Sequence, residues 1–159
     1  MAQLNLGGTA SGKNVMINDT NFGDIAMSSM KQFFKKSLAQ KGLITITKLR
    51  SILEMVNAIY YNVLFITDSD LTENLLSDIA YLKVKMAYES SRENSVKEFI
   101  NHTNIMNSID AIVNSKKKDD FLLYCRYIES LVAYFKFEEM LNREERNKNE
   151  RKNSNYSRR

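Results

Sequence analysis

The chain contains no proline and only five glycines in 159 residues. Proline ends helices and, together with glycine, forms most tight turns, so a chain nearly free of both favours long helices joined by short connections. Hydrophobic residues make up 43% of the sequence and charged residues 26%, as in an ordinary globular domain. We therefore expect a single compact all-α domain.

Apolar residues recur at helical spacing in five segments, which predicts a bundle of about five helices across residues 21–145. The second helix is expected to follow a capping threonine, Thr45 or Thr47, and the third to run over residues 70–92. The fourth begins near Ser95, which together with Glu98 resembles a capping box. Polar residues at 101–104 are candidates to divide that helix in two.

Both ends of the chain are predicted to be disordered. Residues 1–20 are rich in Gly, Asn, Ser and Thr and show no period, and residues 146–159 have almost nothing to bury. The net charge of +4 belongs to the C-terminal end, because residues 142–159 hold seven Lys or Arg and three Glu. The rest of the chain is electrically balanced, so any binding face there must come from local segregation of charge.

Little in the sequence indicates an enzyme, a metal or a cofactor. Residues 7–14, GGTASGKN, match most of a phosphate-binding loop, but Asn14 stands where Ser or Thr should hold magnesium. A flexible tail explains this segment better. His102 and Cys125 are each the only residue of their kind, so no zinc site can be built, and Cys125 fits a buried core position. With no apolar run long enough for a membrane span and no signal pattern, we expect a cytoplasmic protein without catalytic residues.

The segment YLKVKMAYESSR, residues 81–92, places rings and cations alternately along one stripe of the third helix. Tyr81, Lys85, Tyr88 and Arg92 follow each other at spacings of four, three and four, beside a second stripe that is plainly core. We expect this flank to pack against the bundle and to be edged with cations that meet a phosphate backbone.

Basic residues also lie near aromatic residues on two other helices. The six candidate contacts to nucleic acid are Lys48, Arg50, Lys85, Arg92, Arg126 and Lys136. Such cations can bind phosphate, but any helical bundle also places Lys and Arg at the border of its core. From the residues alone, a helical module that binds only other proteins remains an alternative.

The last helix is apolar on more than one side. Phe121 and Cys125 belong to an ordinary core stripe, whereas Tyr127, Tyr134 and Phe137 lie nearly opposite. Either this helix is central and wrapped by the others, or the second side is a protein interface covered by another copy or a partner.

Four segments in this order resemble the small helical subunit of the type III-A (Csm-type) CRISPR–Cas interference complex. They are ITITKLRSILEMVNAIY (44–60), DIAYLKVKMAYESSREN (78–94), SVKEFI (95–100) and YCRYIESLVAYFKF (124–137). The last is the most specific, since the family pattern is close to R-Y-x-E-A-L-V-A-Y-x-K. In the second segment, Ser91 stands where the family usually has glycine. The resemblance covers roughly residues 43–138.

The resemblance implies a non-catalytic role in antiviral defence. Subunits of this kind occupy several positions along the complex and contact the backbone of the guide–target (crRNA–target) RNA duplex without reading its sequence, while other subunits carry the nuclease activities. It also implies that the partners are the backbone and large subunits and further copies of the chain, and that the six cations named above face RNA.

Overall fold

The computed structural model describes residues 1–8, 14–37 and 42–156. In that part of the chain, a two-stranded antiparallel sheet precedes six helices. The elements are β1 (Gln3–Gly8), β2 (Asn14–Asn18), α1 (Phe22–Ser37), α2 (Ile46–Leu64), α3 (Glu73–Arg92), α4 (Asn94–Thr103), α5 (Ser108–Ser115) and α6 (Lys118–Tyr156). The prediction of a mainly helical protein is therefore confirmed, but the count of about five helices is too low and the small sheet was not expected.

The N-terminal segment is a β-hairpin, so the prediction of disorder is wrong for its described residues. Leu4 pairs with Ile17 across the two strands, and both side chains are buried together with Leu6. Strand β1 packs against α5 and α6, and the amide of Asn104 donates a hydrogen bond of 2.8 Å to the Gly8 carbonyl. The hairpin is therefore part of the single core. Residues 9–13 of the segment GGTASGKN lie outside the described residues.

Helices α2 and α3 form where the apolar period predicts them. The hydroxyl of Thr45 accepts the Lys48 backbone N–H at 3.3 Å, which confirms one of the two expected N-caps of α2. The expected core stripe of α3 is buried as a set: Leu75, Ile79, Leu82 and Met86. The polar segment between the two helices is held at its end by the Leu71 backbone N–H, which donates to the Lys116 carbonyl at 2.8 Å.

The expected fourth helix is divided into α4 and α5 at Asn104, which has a positive φ of 56°. Asparagine tolerates this left-handed conformation better than most residues, so the break falls inside the polar stretch that the sequence indicated. The capping box is wrong, because α4 begins at Asn94 and the Ser95 hydroxyl donates to the carboxylate of Glu93 instead. This extra break accounts for the sixth helix.

Helix α6 is the central element of the fold. It packs against α1, α2, α5 and β1, and the ring centroids of Phe34 and Phe135 lie 4.9 Å apart at the α1 contact. It has 39 residues and ends at Tyr156, so the prediction of a disordered tail from residue 146 is wrong up to that point. Every residue from Arg143 to Asn153 is exposed, which indicates a helix that continues beyond the bundle. None of the described helices combines the length and the hydropathy needed to cross a membrane.

Candidate nucleic-acid interface

The predicted stripe of α3 lies on the solvent side of the helix. Tyr81 is 56% exposed and Tyr88 is 60% exposed, so the expectation that this flank packs against the bundle is wrong. The Lys85 ammonium lies 5.6 Å from the centroid of the Tyr81 ring, and the Arg92 guanidinium lies 5.4 Å from that of Tyr88. Each cation is thus held over a ring one turn before it, which orients two positive charges along an open surface.

A cluster of alternating charges joins the start of α2 to the end of α3. Lys48 Nζ lies 3.2 Å from a carboxylate oxygen of Glu93 and 3.9 Å from one of Glu89. Arg92 Nη1 lies 3.7 Å from the other oxygen of Glu89, so the two cations share one acid. The hydroxyl of Ser95 and the ammonium of Lys48 lower the pKa of Glu93 below its ordinary value. The cluster therefore holds two cations in place while its acids neutralise them.

Arg50 and Lys85 differ from the other candidates in having no ion pair with any described residue. Both side chains are exposed. Arg50 follows Lys48 by two positions and so points to a different side of α2. Of the six candidates, Lys48, Lys85 and Arg92 are brought together around α3.

The two candidates on α6 form a separate group. Arg126 Nη1 lies 3.3 Å from Asp19, in the turn after β2, and Lys136 Nζ lies 2.8 Å from Glu139 one turn along the helix. Both basic side chains are more than half exposed, at 55% and 56%. Ion pairs at such exposure contribute little to stability, so a phosphate group can replace the acid at small cost.

Only part of the expected protein interface is accessible. Tyr127 is 1% exposed and belongs to the core of this chain, so its assignment to an interface is wrong. The reason is the central position of α6, whose second apolar side is covered by other elements of the same chain. Burial raises the pKa of the Tyr127 hydroxyl, and the Ser29 hydroxyl opposes that shift. Tyr134 is half-buried against the core, while Phe137 remains 47% exposed.

Two sets of surface residues were not foreseen from the sequence. The first set is the acids that pair with the cations: Asp19, Glu89 and Glu93. Glu89 could have been found, since it precedes Arg92 by three positions on one helix, but the partners of Lys48 and Arg126 are distant in sequence. The second set is the exposed large hydrophobic residues Tyr61, Leu64, Phe65, Val84 and Met140.

Two isolated reactive side chains occupy structural positions. His102 Nε2 donates to the Ser29 carbonyl at 2.9 Å, and its ring centroid lies 5.2 Å from that of Phe33. Burial lowers the pKa of His102, and it raises that of the Cys125 thiol. Within residues 1–8, 14–37 and 42–156, no group of three or more His, Cys, Asp or Glu could hold a metal ion. Strand β2, not a helix, follows the GGTASGKN segment, and a phosphate-binding loop requires a helix there.

The fold and its surface define a class of small helical proteins that present cations and rings along the outer edges of a bundle. Within that class the family can be identified, because residues 24–140 match the model of the family described as Csm2 Type III-A. The chain belongs to this family, and it is a small subunit of the type III-A Csm CRISPR complex. The β-hairpin and the last turns of α6 lie outside the matched residues.

Three bacterial relatives, each named CRISPR system Cms protein Csm2, show the same relationship. The protein from Enterococcus italicus is 43% identical over 97 residues, covering 61% of this chain and 69% of the relative. The protein from Streptococcus thermophilus is 29% identical over 122 residues, covering 77% and 94%. The protein from Mycobacterium tuberculosis is 31% identical over 94 residues, covering 59% and 74%.

Proposed function

We propose that this subunit is a non-catalytic RNA-binding component of the effector complex, present in several copies and contacting the guide–target RNA backbone without sequence specificity. The observation that carries the proposal is the exposed alternation of rings and cations on α3, joined through Glu89 to Lys48 at the start of α2. Cations recognise phosphates whatever the bases are, which suits a subunit that must accept any guide.

The ion pairs within the cluster explain how such a surface can be weak alone and effective in an assembly. Lys48 and Arg92 are already partly neutralised by Glu89 and Glu93, so a single copy in solution should bind RNA poorly. A series of copies held along one duplex adds these contacts at high effective concentration. The body without its C-terminal segment has no net charge to attract RNA from a distance, which gives the same expectation.

The test replaces Lys48, Arg50, Lys85 and Arg92 with alanine in the purified complex and measures target-RNA affinity over a range of salt concentrations. Each lost phosphate contact should lower the slope of log affinity against log salt by about 0.9. If all four contact phosphate, the slope falls by about 3 to 4 for each copy that is engaged. The matched control replaces four other exposed or half-exposed lysines, Lys83, Lys97, Lys116 and Lys117, and so removes the same charge.

Two outcomes would contradict the proposal. The complex could remain assembled while both variants bind RNA with the affinity and salt slope of the wild type. Alternatively, the control could lose as much affinity as the test variant, in which case only net charge matters. The first outcome would favour a helical module that contacts proteins alone.

Contacts with protein neighbours are a second part of the proposal, favoured by the exposed apolar end of the bundle on α6. Phe137 and Met140 are 47% and 45% exposed, lie one turn apart, and continue from the half-buried Tyr134. We infer that Tyr134 and Phe137 meet a neighbouring subunit. Phe137→Glu should weaken incorporation of the subunit into the complex without unfolding it, whereas normal incorporation would remove this interface.

A further inference from the structure

The outer face of α3 presents two aromatic rings that no described part of the chain covers. Tyr81 is 56% exposed and Tyr88 is 60% exposed, although a cation lies 5.6 Å from the centre of the first ring and another lies 5.4 Å from that of the second. Val84, which is 55% exposed, lies between them in sequence. The three side chains form an apolar strip on a side of the helix that the core does not use, which is typical of a binding surface.

Contact with a phosphate backbone accounts for the cations of this face but not for its rings. Phosphates and riboses form the outer surface of an RNA duplex, and the flat faces of paired bases are stacked inside it. An unpaired base exposes a flat face that stacks on an aromatic side chain. Rings and cations along one surface are therefore typical of proteins that bind single-stranded nucleic acid, in which cations follow the backbone and rings hold the bases.

The spacing of the two rings suits one strand lying along the helix. Tyr81 and Tyr88 are seven residues apart, which returns them to nearly the same side of α3. At a rise of about 1.5 Å per residue, the two positions lie about 10 Å apart along the helix axis. A stacked strand advances about 3.4 Å per nucleotide, so the rings are about three nucleotides apart.

The charges on this face favour a nucleic acid over a protein as the molecule that covers it. None of the exposed residues from Tyr81 to Arg92 is acidic, and two of them, Lys85 and Arg92, are basic. The acid that pairs with Arg92 is Glu89, at 3.7 Å, and its side chain is only 24% exposed. The open part of the face is therefore both aromatic and positive, which is complementary to bases joined by phosphates.

We propose that this face binds unpaired RNA, with one base stacked on Tyr81 and another stacked on Tyr88. The proposal rests on the proposed function, because it concerns the same surface, and it adds the form of RNA that the surface selects. Every base has a flat face, so stacking agrees with binding that does not depend on sequence. The two rings add affinity that salt does not screen, whereas the contribution of the cations falls as salt rises.

The test measures the binding of three fluorescent probes to the full-length subunit, purified free of RNA, by fluorescence anisotropy. The probes are an unstructured RNA strand of about 20 nucleotides, an abasic strand with the same number of phosphates, and the RNA strand paired with its complement. Low salt is used because a single copy should bind weakly. Stacking of one base on a ring changes affinity by about 5- to 150-fold, so the unpaired strand should bind at least about fivefold more tightly than the abasic strand.

Substitutions of the rings should affect only the probe with unpaired bases. Tyr81→Leu and Tyr88→Leu keep an apolar side chain, so each should bind the unpaired strand at least about fivefold more weakly with an unchanged salt slope. Both variants should bind the abasic strand and the duplex like the wild type. Tyr88→Phe keeps the ring and should keep the affinity. Tyr61→Leu is the matched control, because Tyr61 is 61% exposed but lies on α2.

A variant with both Lys85→Ala and Arg92→Ala separates this proposal from the proposed function. If the cations bind phosphate, this variant should bind all three probes more weakly, with a smaller salt slope, whatever the rings do. Unchanged binding by this variant would contradict the phosphate contacts and leave the result for the tyrosines to be judged by itself.

Four results would overturn the stacking proposal. The wild type could fail to bind the unpaired strand, or it could bind the abasic strand equally well. The leucine variants could bind the unpaired strand like the wild type, or they could lose as much affinity for the duplex as for the unpaired strand. If they bind RNA normally but no longer enter the complex, the rings contact a protein neighbour instead.

Discussion

The carbonyl group of Ile105 offers the sharpest test of how the break between α4 and α5 is stabilised. This buried oxygen accepts two hydrogen bonds, one from the Tyr124 hydroxyl at 2.7 Å and one from the Ser108 hydroxyl at 3.0 Å. All three residues are at most 1% exposed, so water does not readily replace a lost donor. The two hydroxyls fix the chain one residue after the left-handed Asn104, which also bonds to the β-hairpin.

Removing one donor should lower the free energy of unfolding only slightly, and removing both donors should lower it much more. Tyr124→Phe and Ser108→Ala each delete one hydrogen bond but leave the carbonyl with a partner, so each should lower the free energy of unfolding by about 1 kcal/mol. The double variant leaves a buried carbonyl with no partner, which adds a desolvation penalty of about 1–3 kcal/mol. The total loss should therefore reach about 3–5 kcal/mol.

The assay is equilibrium unfolding in urea at 25 °C, followed by circular dichroism, for the wild type, both single variants and the double variant. The coupling energy of this double-mutant cycle should exceed about 1 kcal/mol. Tyr61→Phe is the control, because that side chain is 61% exposed and its substitution should leave stability unchanged. If the two single effects simply add, the two hydroxyls do not share the carbonyl and the reasoning fails.

Three further predictions concern groups whose pKa is shifted. Burial holds the pKa of His102 below its ordinary 6.5, so the unfolded chain binds the proton more readily and the free energy of unfolding should fall as the pH drops below 6.5. The urea midpoint of the His102→Gln variant should therefore depend less on pH below 6.5 than that of the wild type. Glu93→Gln removes an acid that neutralises Lys48 and should raise RNA affinity at low salt, as measured by filter binding; a decrease would show that the carboxylate positions the lysine. The Cys125 thiol, which is buried and has a raised pKa, should react with a thiol reagent only under denaturing conditions, and rapid labelling of the native protein would contradict its placement.

The helices could be predicted from the sequence, but the hairpin could not. Helices α2 and α3 are amphipathic over five turns, and each signal repeats many times along one element. Strand β1 shows only the short alternation of Leu4 and Leu6, and its partner β2 has three consecutive apolar residues, Val15, Met16 and Ile17, with no alternation. The hairpin is stabilised by packing against α5 and α6, which are about a hundred residues away in sequence. The local sequence of the hairpin therefore carries little of the information that determines its structure.

The extension of α6 was missed for a different reason. Residues 146–156 have no apolar face and would be marginal as an isolated helix. They adopt helical structure because α6 is already formed by its buried half, and adding a residue to an existing helix carries no nucleation cost. Composition describes the segment alone and takes no account of the helix that precedes it.

The candidate interface shows the same division between local and long-range information. Five of the six predicted cations are exposed as expected, and Lys48 is half-buried. Their pairing with Glu93 and Asp19 depends on the packing of distant elements. Tyr127 was misplaced because helical periodicity shows which residues share a side of α6, whereas the number of neighbours around that helix is a property of the whole fold.

The N-terminus packs against the bundle and the end of α6 does not, and this difference bears on how the protein can be labelled. The Ala2 backbone N–H donates to Asp19, which also pairs with Arg126, so a fusion joined at the first residues would crowd a cation of the proposed RNA surface. The exposed part of α6, from Arg143 to Asn153, spans about 16 Å at a rise of about 1.5 Å per residue. A fluorophore or purification handle attached at that end would be held away from the bundle, which makes it the better position for measuring assembly.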